Sequence, residues 1–288
     1  MTPRYIPLGT LALSLVASQA AYGQADYETT EIADGVYQFR WQAHNGMFLT
    51  TDAGVVVFDP IEVEPARRFA AEIRRIAPGA QISAIVYSHS DADHSTGAAA
   101  LLQAMGQEAA PIIAHEAAVT PIKARDSAAQ PPPTVTFSER MTFQVGGREV
   151  QLHYLGPSHT DNMIVPFIPD VGVAFAVDFV ANDRMGFQDL PGWHFPEFFD
   201  ALAALLHVPF DTIVFGHGPP GDRASIHRQI AYYDDLQAAV RRAVDNDLSE
   251  DEAAAQVRLP AYASWGQYEA WFPLNVRGVY RWIAERGG

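Results

Sequence analysis

The segment His89-Ser90-Asp91-Ala92-Asp93-His94 places four side chains able to bind a metal within six residues. One residue, Ser88, separates it from Ile82-Ser83-Ala84-Ile85-Val86-Tyr87, an apolar run that reads as a strand. A strand ending in such a cluster delivers imidazoles and carboxylates at the edge of a sheet, where the alternation of side chains between two faces no longer applies. Imidazole and carboxylate together are a ligand set for zinc or a related first-row ion. Two more histidines stand in loop-like sequence, Gly156-Pro157-Ser158-His159-Thr160 and Phe215-Gly216-His217-Gly218-Pro219, and Asp178 closes the apolar run Val173-Ala174-Phe175-Ala176-Val177. Each ends an apolar segment, so one sheet edge can gather them all. The chemistry such a set serves is metal-dependent hydrolysis. A helix cap would account for Asp93, but not for the paired histidines or the distant ones.

Several elements must carry these residues. Short β-prone segments lie around Glu31-Ile32, Val36–Arg40, Met47–Thr50 and Val55–Asp59, the last two joined by the turn Asp52-Ala53-Gly54. The spacing of Phe69, Ile73 and Ile76 predicts an amphipathic helix over 64–76, ended by Pro78-Gly79. An Ala/Leu-rich helix is expected over 96–105. Gly146-Gly147 and Pro169-Asp170 each separate two apolar runs and read as hairpin turns. Residues 195–206 read as a helix, 212–215 as a short buried strand, and the tail from Arg223 as largely helical. Strands alternating with helices, hairpins among them, predict an α/β sandwich with a mixed sheet.

Composition narrows the partners. Nineteen basic against 34 acidic residues give a net charge of −15, which disfavours nucleic acid and anionic lipid because phosphate binding needs clustered Lys and Arg. The expected partner is a small-molecule substrate. There is no cysteine, so neither a thiolate ligand nor a thiol nucleophile is on offer, and no G-x-S-x-G signals a serine nucleophile. Residues 1–23 read as a signal peptide: Arg4 gives a positive start, residues 6–16 a mostly apolar core too short to span a bilayer, and Ala21-Tyr22-Gly23 a small-residue cleavage site before Gln24. The expected location is therefore periplasmic or secreted, without a membrane anchor. No linker, repeat or charge block divides 24–288, which is expected to form one hydrolase domain.

In the order and spacing of these residues the chain resembles the metallo-β-lactamase superfamily, whose hallmark is His-x-His-x-Asp-His followed far downstream by His, Asp and His. The matching residues are His89, Asp93 and His94, then His159, Asp178 and His217. Asp91 stands where that family has its second histidine. The resemblance implies a four-layer αββα sandwich with metals at one edge between its sheets, two zinc ions held by these residues, and a supporting role behind the metal loop for Asp59. Asp178, with two carboxylate oxygens, is suited to bridge two ions. Asp91 has two readings: a ligand that replaces neutral imidazole with an anion and weakens the Lewis acid, or a side chain too short to reach the metal that orients water or His89.

The expected function is an exported zinc-dependent hydrolase in which metal-activated hydroxide, oriented by Asp93, opens a cyclic amide or ester, with β-lactams first. His44, in the loop-like Ala43-His44-Asn45-Gly46, and Arg184, Trp193 and His194, in the stretch after Asp178, are expected to line the substrate pocket. The rival readings are a lactonase or thioester hydrolase, an iron-dependent sulfur oxidoreductase, and an exported metal- or ligand-binding protein without catalysis.

Overall fold

A meander opens the chain in the computed structural model, which describes residues 27–286. The expected signal peptide, residues 1–23, lies outside the described residues. Strands β1 (Tyr27–Ala33), β2 (Val36–Trp41), β3 (His44–Thr51) and β4 (Gly54–Phe58) pair antiparallel in sequence. Helix α1 (Val63–Ile76) then crosses to β5 (Ile82–Val86), which lies parallel to β4. After α2 (Ala92–Ser95) and α3 (Ala98–Met105) come β6 (Ile112–His115), α4 (Val119–Arg125) and β7 (Val135–Phe137), completing a seven-stranded sheet in chain order.

The second sheet is built from β8 (Arg140–Val145), β9 (Arg148–Tyr154), β10 (Ile164–Ile168), β11 (Val173–Ala176) and, after α5 (Glu197–Leu205), β12 (Thr212–Phe215). Its order is β12-β11-β10-β9-β8, antiparallel except for the β11–β12 pair. The hairpin turns fall at Gly146-Gly147 and at Pro169–Val171, as the sequence predicts. Helices α6 (Arg223–Asp245), α7 (Glu250–Gln256) and α8 (Tyr268–Arg286) form the tail.

The layers follow from the two-residue period of the strands. Val55, Val57, Ile85 and Tyr87 face outward, onto Phe69 and Ile73 of α1 and Leu101 of α3. Their neighbours Val56, Phe58, Ala84 and Val86 face inward, onto Val150, Leu152 and Ile164 of the second sheet. That sheet is covered on its far side by Phe198 and Leu202 of α5, Tyr232 and Leu236 of α6, and Phe272 and Val276 of α8. Each large apolar side chain buried this way contributes about 1.5–3 kcal/mol. The result is the αββα order, helices, sheet, sheet, helices. All five residues of β4 are buried, so its apolar run is continuous rather than alternating, as expected of a strand covered on both faces.

His44 departs from expectation. It does not sit in a loop but opens β3, opposite Trp41, because Gln42 takes a left-handed backbone (φ 51°) and closes a two-residue turn.

His153 on β9 is buried, and burial together with Arg140 pulls its imidazole down to about 4. Its folded value therefore lies below the ordinary 6.5, so the unfolded chain binds the extra proton as pH falls. The stability it contributes is present above about pH 6.5 and is lost on the way to about pH 4. Thermal unfolding across that window is expected to show a smaller acid-induced drop in Tm for His153→Gln than for the parent chain. Equal drops would show that His153 does not titrate this way.

Candidate metal centre

Every expected ligand follows a strand or stands in the loop after one, and all meet at one edge between the sheets. Ser88 to Asp91 continue from β5, and Asp93 and His94 lie on the one-turn helix α2. His159 lies between β9 and β10, Asp178 just past β11 and His217 just past β12. Asp59, just past β4, and Asp178 both hold left-handed backbone conformations (φ 52° and 58°). Aspartate tolerates this better than most residues, yet it costs on the order of 1–3 kcal/mol. In both cases the turn aims a carboxylate at the histidines.

Asp178 is the hub. Its Oδ2 lies 3.2 Å from His89 Nε2 and 3.6 Å from His159 Nε2. Its Oδ1 lies 2.9 Å from His217 Nε2 and 3.4 Å from His94 Nε2. One oxygen thus serves one pair of imidazoles and the other oxygen the second pair. Asp91 joins the first pair, with Oδ2 3.1 Å from His159 Nε2 and 3.5 Å from His89 Nε2. Although it holds the N-cap position of α2, its side chain makes no cap hydrogen bond. Asp93 Oδ2 lies 3.6 Å from His94 Nε2 and 3.2 Å from His44 Nε2.

Two ligands of one zinc, each about 2.0–2.2 Å from it at tetrahedral or right angles, stand about 3.0–3.5 Å apart. The separations here have that size. His89 Nε2, His94 Nε2 and Asp178 Oδ1 are buried and make no hydrogen bond, although buried polar atoms are normally satisfied. Ionic groupings of His89, Asp91, His159 and Asp178, of His94, Asp178 and His217, and of His44, Asp93 and His217 each bring their donor atoms within 4.8 Å of one another. The residues fit a pair of divalent ions.

The far side of each ring supports the same orientation. Asp59, fully buried, accepts from the Ser88 amide (2.7 Å) and hydroxyl (2.6 Å). With its proton given to Asp59, the Ser88 oxygen accepts from His89 Nδ1 at 2.9 Å. The Nε2 lone pair of His89 is then turned toward Asp178. Asp59 Oδ2 also stands 3.3 Å from His94 Nδ1, so the expected supporting residue reaches both halves of the centre. His217 Nδ1 donates to the Ala43 carbonyl (2.8 Å), which again frees Nε2. Such partners fix the tautomer and ring angle of a metal-binding histidine.

Charge follows from this crowding. Burial opposes ionisation of Asp178, yet His94, His217 and His89 hold its carboxyl well below the usual range. For Asp91 burial is likewise outweighed, by His159 and His89. Burial disfavours charge on His89, but Asp178 and Asp91 raise it to about 9. His94 is also raised, by Asp178 and Asp59 against burial. Asp93 is lowered to about 2: burial would raise it, and His44 and His94 prevail. The carboxylates demand positive charge between them, which protons or divalent ions can supply.

A cavity of about 1080 Å³ opens on the centre, lined by Asp91, Asp93, His159, Asp178 and His217 together with His44, Arg184 and His194. Its remaining wall is largely apolar, with Phe179, Met185, Phe187 and Trp271. The Arg184 guanidinium lies 4.9 Å over the Trp271 ring; burial lowers its pKa and Asp178 opposes that. Trp193 does not line the cavity. It is buried behind His159, packed on Phe198 and Tyr233, because the loop carrying it folds inward at that point.

Sequence reading missed the residues that hold the loops. Asn162 accepts from the Ser90 amide (2.8 Å), while Arg125 and Gln130 donate to the Ser90 carbonyl (2.7 and 2.8 Å). The Asn45 amide group donates to the carbonyls of Phe215 (2.8 Å) and Gly218 (2.7 Å), tying the His217 loop to β3. Gly46, next in β3, permits a different approach, that of the end of β4 and Asp59, since a Cβ there would stand 2.3 Å from the Asp59 carbonyl oxygen.

The chain belongs to the metallo-beta-lactamase superfamily, whose family model matches residues 39–217. Among curated proteins it is similar to the 2,4-dinitroanisole O-demethylase subunit alpha of Nocardioides sp. (strain JS1661), 27% identical over 217 residues, which are 72% of this chain and 65% of that protein. It therefore matches just under two thirds of that relative's length. Among solved structures it is similar to a metallo-beta-lactamase from Pontibacter korlensis (TM-score 0.60, 22% identity, 71% of this chain and 97% of that one). A stereoselective inverting sec-alkylsulfatase from Pseudomonas sp. also shares the fold (TM-score 0.71, 18% identity, 88% of this chain, 50% of that one).

Proposed function

We propose that this chain is a zinc-dependent hydrolase that opens a cyclic amide or ester, with β-lactams as the first substrate class and lactones and thioesters next. The observation that carries the proposal is the set of buried, unsatisfied imidazole and carboxylate atoms of His89, His94 and Asp178, gathered where Asp91, Asp93, His159, Asp178 and His217 line a large, mostly apolar cavity. Divalent ions bound there would supply Lewis acidity, polarising a carbonyl and acidifying water.

The protein's own groups divide the remaining work. The Asp93 side chain is 43% exposed and faces the cavity. Held ionised by its histidine neighbours, it accepts a hydrogen bond from the attacking water and orients it, rather than acting as a strong base. Arg184 makes no ion pair among the described residues and offers its charge to one acidic group on the substrate. Phe179, Met185 and Phe187 exclude water from an apolar substrate body. The proposal includes export, which rests on the sequence of residues 1–23 alone.

A second reading, cleavage of an ether or sulfate ester, is favoured by the O-demethylase and alkylsulfatase named among the similar proteins. A panel of nitrocefin, a lactone, a thioester, an aryl methyl ether and a secondary alkyl sulfate separates the two. Turnover of the β-lactam or lactone is expected, abolished by dialysis against a chelator and restored by zinc. Turnover confined to the ether or sulfate would select the second reading. Turnover indifferent to chelation would overturn both.

A further inference from the structure

We infer that His44 is itself a metal ligand, completing the ion position of Asp93 and His217. The inference rests on the metal-centre reading above and adds a residue that the His-x-His-x-Asp-His pattern does not contain. His44 Nε2 is 3.2 Å from Asp93 Oδ2, within the spacing of about 3.0–3.5 Å for two ligands on one ion. The His44 and His217 rings meet edge to face at 4.8 Å, and the His44 and His94 rings lie 5.7 Å apart.

Asp93 supplies a second argument. Among the described residues, the compact donor group that includes Asp93 is the one with His44 and His217, whereas His94 joins Asp178 and His217. An ion drawn to Asp93 therefore lies within reach of His44. His94 Nε2 is farther from Asp93 than His44 Nε2 is, 3.6 Å against 3.2 Å.

The backbone is built for the same task. Three consecutive residues serve this half of the centre. The Ala43 carbonyl fixes the His217 ring, Asn45 holds the His217 loop by two side-chain bonds and a backbone one (2.8 Å to the Gly216 carbonyl), and His44 between them presents its imidazole. A strand position pinned on both sides holds a ligand far better than a free loop does. With His44 the centre again has five imidazoles, the number in the family pattern, although Asp91 has removed one from the first position. The second position becomes the imidazole-rich one, with His44, His94 and His217. The first keeps His89 and His159 beside Asp91.

The test uses the full chain labelled with ¹⁵N-histidine and loaded with two equivalents of ¹¹³Cd. One-bond ¹¹³Cd–¹⁵N coupling counts the imidazoles on metal without relying on activity. Five coupled histidines are expected, one of them lost in His44→Gln, together with a fall of at least tenfold in affinity for one of the two ions. Four coupled histidines in the parent chain would overturn the inference and leave His44 as a hydrogen-bond partner of Asp93. That count is decisive even if the variant fails to fold. No coupled histidine at all would overturn the metal-centre reading as well, so the two failures are distinguishable.

Discussion

Asp178→Asn is expected to lose at least one of two bound ions and to lower kcat/KM by about a thousandfold or more, roughly 4 kcal/mol of barrier. The reason is its division of labour. One carboxylate oxygen faces His89 and His159, the other His94 and His217. Asparagine keeps the size and tolerates the left-handed backbone, but it turns one acceptor into an NH₂ donor and removes the shared negative charge. Two adjacent divalent ions would repel each other, and a carboxylate charge shared between them would offset that repulsion. Zinc content and turnover measured on the same preparation check this. Retention of both ions with affinities close to those of the parent chain would refute the bridging role.

Asp93→Asn is expected to separate metal binding from catalysis. Asp93 contributes one oxygen toward His44 and His94 while its exposed face borders the cavity. Imidazoles and Asp178 would still hold an ion there, more weakly. The oriented hydrogen bond to the attacking water would go, and general-base or positioning groups of this kind contribute about a hundredfold to ten-thousandfold. Turnover should thus fall far more than zinc content does. Retention of more than about a tenth of kcat, a barrier change under roughly 1.4 kcal/mol, would remove Asp93 from the reaction.

The parts of the fold that were legible in the sequence are those where one segment decides its own fate. Residues 54–58 and 82–86 are apolar runs bounded by turn residues, and α1 has a clear helical spacing with Pro78-Gly79 beyond it. The candidate ligands are legible for the same reason, since each terminates such a run. Asp59 closes the apolar run Val55–Phe58, which the sequence shows, whereas its partners Ser88 and His94 are visible only in the structure. His44 was harder. Gln42-Ala43 lacks the glycine or asparagine that marks a tight turn, so the strand start two residues later left no local trace.

Long-range support was beyond reading. Ser90 is held by Arg125, Gln130 and Asn162, 35, 40 and 72 residues away, and Asn45 reaches across 170 residues to Phe215. Nothing in the local pattern of any of these distinguishes it from a surface polar residue. Trp193 is illegible for the opposite reason: an aromatic in a pocket-side loop has no sequence mark that tells wall from core, and packing on Phe198 and Tyr233 places it in the core.

The central proposal, that these imidazoles and carboxylates hold two zinc ions, is tested most directly by the metal content of the purified chain after equilibration with zinc. Two zinc ions per chain are expected, removed by a strong chelator together with all turnover. A chain that takes up no zinc, or that holds iron and excludes zinc, would contradict the account.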